Sequence, residues 1–169
     1  MADQNFRVKR GIEVGFGGTV MSSLSSGNIG IGTTNPQSKL EVNVGTDVPS
    51  EKLDVAGNIA INQTTVVGSA TASLSTVTET AIHTGLSAST YRSVEYNIQA
   101  TQGTNYHVTK ILALHNGTTA YHSEYGTIFN NSSVAAFDVD ISGGNIRLLA
   151  TSAFALQTDY VINFVATKL

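Results

Sequence analysis

Apolar and polar residues alternate with a period of two through most of the second half of the chain. From Ser93 to Thr101, Val94, Tyr96, Ile98 and Ala100 interleave with Ser93, Glu95, Asn97 and Gln99. Phe137, Val139 and Ile141 alternate with Asp138 and Asp140, Ile146 and Leu148 flank Arg147, and Tyr160, Ile162, Phe164 and Ala166 close the chain. Such alternation turns one face of a strand to a core and the other to solvent. Turn sequences separate the runs: Gln102-Gly103-Thr104, Asn116-Gly117, Asn130-Asn131-Ser132-Ser133 and Ser142-Gly143-Gly144-Asn145. Asn-Gly between apolar runs is a strong hairpin signal. The pattern predicts strands near 73–77, 79–85, 91–101, 105–115, 119–128, 134–141, 145–151 and 159–167. Strands at this spacing indicate an antiparallel β-sandwich, jelly-roll-like.

The first part of the chain reads differently. Pro36-Gln-Ser-Lys-Leu-Glu-Val returns as Pro49-Ser-Glu-Lys-Leu-Asp-Val, and Gly27-Asn-Ile-Gly-Ile returns as Gly57-Asn-Ile-Ala-Ile. Each unit offers a pair of alternating apolar residues: Ile29 and Ile31, Leu40 and Val42, Leu53 and Val55, Ile59 and Ile61. So narrow a ribbon cannot close a core alone, because isolated strand pairs are marginal in water. Repeats of this kind gain stability from neighbours, and with so few copies the neighbours are other chains. Three chains winding these segments about one axis would supply the missing core. The expected organisation is an anchoring segment at 1–20, an extended intertwined trimeric β-shaft at 21–68, and a β-sandwich head at 69–169.

Composition agrees with an all-β chain. Charged residues are 12% of the sequence, about half the usual share, while 41% are hydrophobic and the net charge is −3. The surface must therefore be built from Ser, Thr, Asn and Gly. Ten of the twelve Phe and Tyr residues lie at or beyond Tyr91, which puts the conventional core in the C-terminal part. No basic stripe suits nucleic acid, no apolar run suits membrane insertion, and the N-terminus lacks a signal-peptide core. With no cysteine, disulfides and thiolate chemistry are excluded. These features point to folding in a cytoplasm and to stabilisation by burial and oligomerisation.

At Gly27-Asn-Ile-Gly-Ile-Gly-Thr-Thr-Asn-Pro-Gln-Ser-Lys-Leu-Glu-Val42 the chain resembles a module recurrent in phage tail-fibre proteins. Met1-Ala-Asp-Gln-Asn-Phe-Arg-Val-Lys-Arg-Gly-Ile-Glu-Val14 is similar to the opening of virion structural proteins of tailed cyanobacterial phages. The stretch from Tyr91 to Leu149 resembles a β-sandwich domain of structural proteins in the same phages. The resemblance implies a homotrimeric virion component assembled in the bacterial host cytoplasm, with no catalytic residues and no cofactor. Phe6, Arg7, Val8, Lys9, Arg10 and Ile12 would anchor it to other virion proteins of tail, baseplate or capsid. The chain ends at Leu169 directly after a strand, which favours a short fibre, tip or decoration over a long tail fibre.

Candidate chemistry is sparse. His115 and His122 flank the Asn116-Gly117 turn, with Glu124 nearby, and are the strongest candidates for metal ligands. The competing and favoured reading is of polar residues on an exposed strand face, so no metal is expected. Asp138 and Asp140 share a face but supply too few oxygens for calcium. The glycine series Gly15, Gly17, Gly18 and Gly27, Gly30, Gly32 lacks a Gly-Lys-Ser/Thr ending and a helix for phosphate. The expected head contacts are the loops at Asn116 and Gly117, at Asn130, Asn131 and Ser132, and at Gly143 and Gly144. They would meet a host-surface glycan or another virion protein. The rival readings are a capsid decoration protein or head fibre, and, further off, a carbohydrate-active spike.

Overall fold

The computed structural model describes Met21–Ser23, residues 28–31, 35 and 40–42, and residues 57–169. The predicted anchor at 1–20 lies outside these, as do Leu53 and Val55. The chain divides into two units, Met1–Val55 and Ala56–Leu169. All described elements are strands, and the protein is all-β as expected.

In the first unit, β1 (Met21–Ser23), β2 (Ile29–Ile31) and β3 (Leu40–Val42) form a small sheet in the order β1-β2-β3. β1 pairs with β2 antiparallel, whereas β2 and β3 run parallel, Ile29 opposite Leu40 and Ile31 opposite Val42. The two apolar pairs read from the repeats therefore stand side by side in register. Ile29, Ile31 and Leu40 remain exposed, Leu40 by 61%.

The second unit is a sandwich. One sheet has the order β4-β5-β12-β7-β8-β9, built from Ile59–Ile61, Thr65–Leu74, Thr158–Lys168, Tyr91–Gln102, Asn105–His115 and Ala120–Phe129. The other has the order β10-β11-β6, built from Ala135–Ser142, Asn145–Ser152 and Thr80–Ser87. All pairings in both sheets are antiparallel. Six strands face three, rather than the two matched four-stranded sheets of a jelly roll.

The core lies between the sheets, and the alternation places it there. Val94, Tyr96, Ile98 and Ala100 of β7 and Tyr160, Ile162, Phe164 and Ala166 of β12 are buried against Ile82, Leu86, Val139, Ile146 and Leu148 of the smaller sheet. Tyr160 donates or accepts at Ser152 Oγ (2.9 Å), and Gln102 Nε2 donates to Thr158 Oγ1 (2.7 Å), so these four buried side chains on the inner face are paired. His83 of β6 stacks against Phe164 with centroids 4.7 Å apart and meets Tyr96 edge-on. Burial lowers its pKa and raises that of the Tyr96 phenol.

Three expectations shift. Gly68, the expected end of the shaft, lies within β5 opposite Phe164, and the two units meet between Val55 and Ala56. Ile59 and Ile61, expected in the shaft, pair with Val67 and Thr65 on the edge of the larger sandwich sheet. The strand expected at 73–77 is the ten-residue β5, ending at Leu74.

Candidate interaction surface

The outward face of the six-stranded sheet is the most unusual surface among the described residues. Registers across the sheet order its side chains into rows. One row runs Ile59, Val67, Val165, Glu95, Leu112, Ser123. A second runs Ile61, Thr65, Thr167, Ser93, Leu114, Tyr121, and a third Ser69, Asn163, Asn97, Lys110, Tyr125. A fourth runs Thr71, Val161, Gln99, Val108, Ile128, and the last Ser73, Asp159, Thr101, Tyr106.

Read down the strands, the rows give three stripes. Ile59, Ile61, Val67, Val161 and Val165 form an aliphatic stripe on β4, β5 and β12. Tyr106, Val108, Leu112, Leu114, Tyr121, Tyr125 and Ile128 form a second on β8 and β9. All twelve are exposed large hydrophobics. Between them β7 presents Ser93, Glu95, Asn97, Gln99 and Thr101. Lone exposed apolar residues are ordinary, but a contiguous set on one face marks an interaction surface.

Charges here are few and held. Lys110 Nζ and Tyr125 Oη each donate to Glu95 Oε1 at 3.1 Å, which holds the Glu95 carboxyl below its usual pKa, chiefly through the Lys110 hydrogen bond. Asp159 accepts from Ser73 Oγ (2.6 Å) and Gln157 Nε2 (3.0 Å), and its pKa is lowered in that order of cause.

Alternation alone does not reveal this face. The signal lies where alternation fails: Ile111-Leu-Ala-Leu114 and Phe164-Val-Ala166 are apolar on both sides, the mark of strands covered on both faces.

The candidate metal set is not assembled. His115 is buried, not on an exposed face as expected. Its Nε2 donates to Tyr91 O (2.6 Å), and its Nδ1 accepts from Gly117 N (2.9 Å), so both ring nitrogens are occupied. Its work is to seat the Asn116-Gly117 turn. His122 instead approaches Asp138 of β10, Nδ1 to Oδ1 3.5 Å, and Glu124 accepts from Thr109 and Thr127 (2.9 and 3.3 Å). Among the described residues no three metal-ligating side chains gather. Asp140 makes a two-point ion pair with Arg147, Nε to Oδ1 2.8 Å, and Asp140's pKa is lowered chiefly by that hydrogen bond.

The three head loops do not form one cluster. Asn116 and Gly143-Gly144 sit at the end of the sandwich where His115 meets Tyr91 and Gly144 O accepts from Ala88 N. Asn130, Asn131 and Ser132 sit at the opposite end, on the Gln102–Asn105 turn. There Asn130 Oδ1 accepts from Tyr106 N (2.8 Å), its Nδ2 donates to Thr104 O (2.9 Å), and Asn131 Nδ2 donates to Asn105 Oδ1 (2.9 Å). Asn116 Oδ1 likewise accepts from Thr118 N, Thr118 Oγ1 and Thr119 N. The Asn116 amide holds its own turn, and those of Asn130 and Asn131 hold their loop to the neighbouring 102–105 turn.

No protein-family profile matches the chain, and no curated protein matches it in sequence. Among solved structures it is similar to the Acinetobacter baumannii phage AM24 tailspike protein, at 11% identity and TM-score 0.38, over 61% of this chain and 26% of that one. Tailspike gp49 of A. baumannii bacteriophage Fri1, a capsular polysaccharide depolymerase, aligns at 8% identity and TM-score 0.41, over 67% and 21%. The Acinetobacter phage vB_ApiP_P1 tailspike protein aligns at 18% identity and TM-score 0.34, over 72% and 26%. The chain thus spans about a quarter or less of each neighbour's length. With TM-scores below one half, these likenesses assign neither a fold nor an activity to the chain.

Proposed function

We propose that this protein is a non-enzymatic structural component of a phage particle: a short homotrimeric fibre, fixed to other virion proteins by residues 1–20 and displaying the β-sandwich outward. The observation that carries the reading is the pairing of Ile29 with Leu40 and of Ile31 with Val42, in strands of three residues with Ile29, Ile31 and Leu40 exposed. A sheet so small cannot hide those side chains within one chain. Winding three chains together would bury them without any new sequence. The fibre-module resemblance of residues 27–42 supplies the setting, and the sandwich is suited to adhesion at a host surface.

Gold-labelled antibody against residues 57–169, applied to purified particles, tests the assignment. Label on projecting fibres of the tail or baseplate is expected. Label spread over the capsid would favour a decoration protein or head fibre, and unlabelled particles would contradict a virion role.

A further inference from the structure

We infer that the outward face of the six-stranded sheet is where the sandwich units of three copies meet, and that β7 faces the symmetry axis. This rests on the homotrimer reading and adds the surface that closes it. The occupant of the face is thus the same chain.

Three features of the face argue for this. The first is its size. Five long strands about 4.8 Å apart, contributing about nine residues each at about 3.3 Å, make a face of roughly 700 Å². Shared between two neighbours, the whole face comes close in total to the ~800 Å² that one partner gives to a standard two-body interface.

The second is the order of the stripes. β7 is the middle of the five long strands β5-β12-β7-β8-β9, and it alone of the five carries no exposed large hydrophobic residue. Three such sheets arranged as a triangular prism would set the centre of each about 7–8 Å from the axis, given that strand spacing. Asn97 and Gln99 would then line the axis, where amides can bond to each other or to water. The apolar stripes fall at the corners, so Val67 and Val165 of one copy meet Leu112, Leu114 and Tyr121 of the next. Two different edges joined head-to-tail form a heterologous contact that a three-fold rotation closes.

The third is charge. Mid-face, Glu95 and Lys110 neutralise each other within the chain, so the centre of the face sets no net charge against the next copy, while the Asp159 carboxylate at one end of the face is held by Ser73 and Gln157. Nor does the face hold an unpaired charge there to recruit an ionic ligand.

The absence of native cysteine makes the test clean. Single variants Leu112→Cys, Val165→Cys and Ser132→Cys of the full chain are sized by light scattering, then reacted with a maleimide under native conditions. The inference expects the thiols introduced by Leu112→Cys and Val165→Cys to react roughly tenfold or more slowly than the loop thiol of Ser132→Cys, because access requires the trimer to open. Loss of the trimer in Leu112→Cys or Val165→Cys but not in Ser132→Cys also supports it. A wild-type-sized trimer in which all three thiols react equally fast overturns this inference and leaves the trimer reading standing. A monomeric parent chain overturns both.

Discussion

Gly68 shows what one absent side chain does for the core. A Cβ built there would lie 2.5 Å from Phe164 Cζ and closer still to the Asn58 side chain. The Phe164 ring is itself stacked on His83, so it has little room to yield. Gly68→Ala should therefore destabilise the sandwich by about 1–3 kcal/mol, as overpacking does, read as a lower urea midpoint at unchanged m-value. His83 and His107 carry a pH prediction. Burial lowers the pKa of both, Glu124 partly offsetting the effect at His107. His107 packs against both Phe129 and Phe137, and its Nε2 has no partner among the described residues. Both rings are thus folded in as neutral groups. A histidine with a lowered folded pKa contributes its stability above the unfolded value near 6.5 and loses it as pH falls towards the folded value. Thermal melts should accordingly drop in midpoint from pH 7 to pH 5, and His83→Phe should flatten that dependence. A midpoint that rises over this window would contradict the burial.

At the level of strands, much of the sandwich is legible in the sequence and the exceptions have physical causes. Strands β7, β8 and β11 follow large alternating side chains and turn residues, and their observed bounds depart from the expected ones by at most one residue. Most of β5 escapes the pattern because its inward positions are Ala70 and Ala72 set among Ser69, Thr71 and Ser73, a run without large apolar residues. It is held as a strand by ten partners on β12, not by its own pattern. The Gly143-Gly144 turn is legible for the opposite reason. Both residues have positive φ, +57° and +78°, the geometry of a tight two-residue hairpin between Ser142 and Asn145. Gly143→Ala should cost roughly 1–2 kcal/mol, the penalty of a left-handed conformation with a Cβ, visible as a lower melting temperature with unchanged circular dichroism. The candidate metal set fails because period and spacing say which residues share a face but not which nitrogen is already taken. His115 is spent on Tyr91 and Gly117.

For the whole molecule, uncovered apolar surface is the common theme. The small sheet of the first unit leaves Ile29, Ile31 and Leu40 exposed, and the larger sheet of the second leaves two stripes exposed around a polar strand. On the proposed reading, a chain whose described residues twice offer exposed apolar surface is one built to associate. A cyclic trimer accounts for both with a single assembly, without disulfides, which a chain lacking cysteine cannot make. The mass of the full-length chain in dilute solution, measured by light scattering, tests this most directly. The account predicts three times 17.7 kDa, about 53 kDa, held on dilution. A folded species at 17.7 kDa would contradict it.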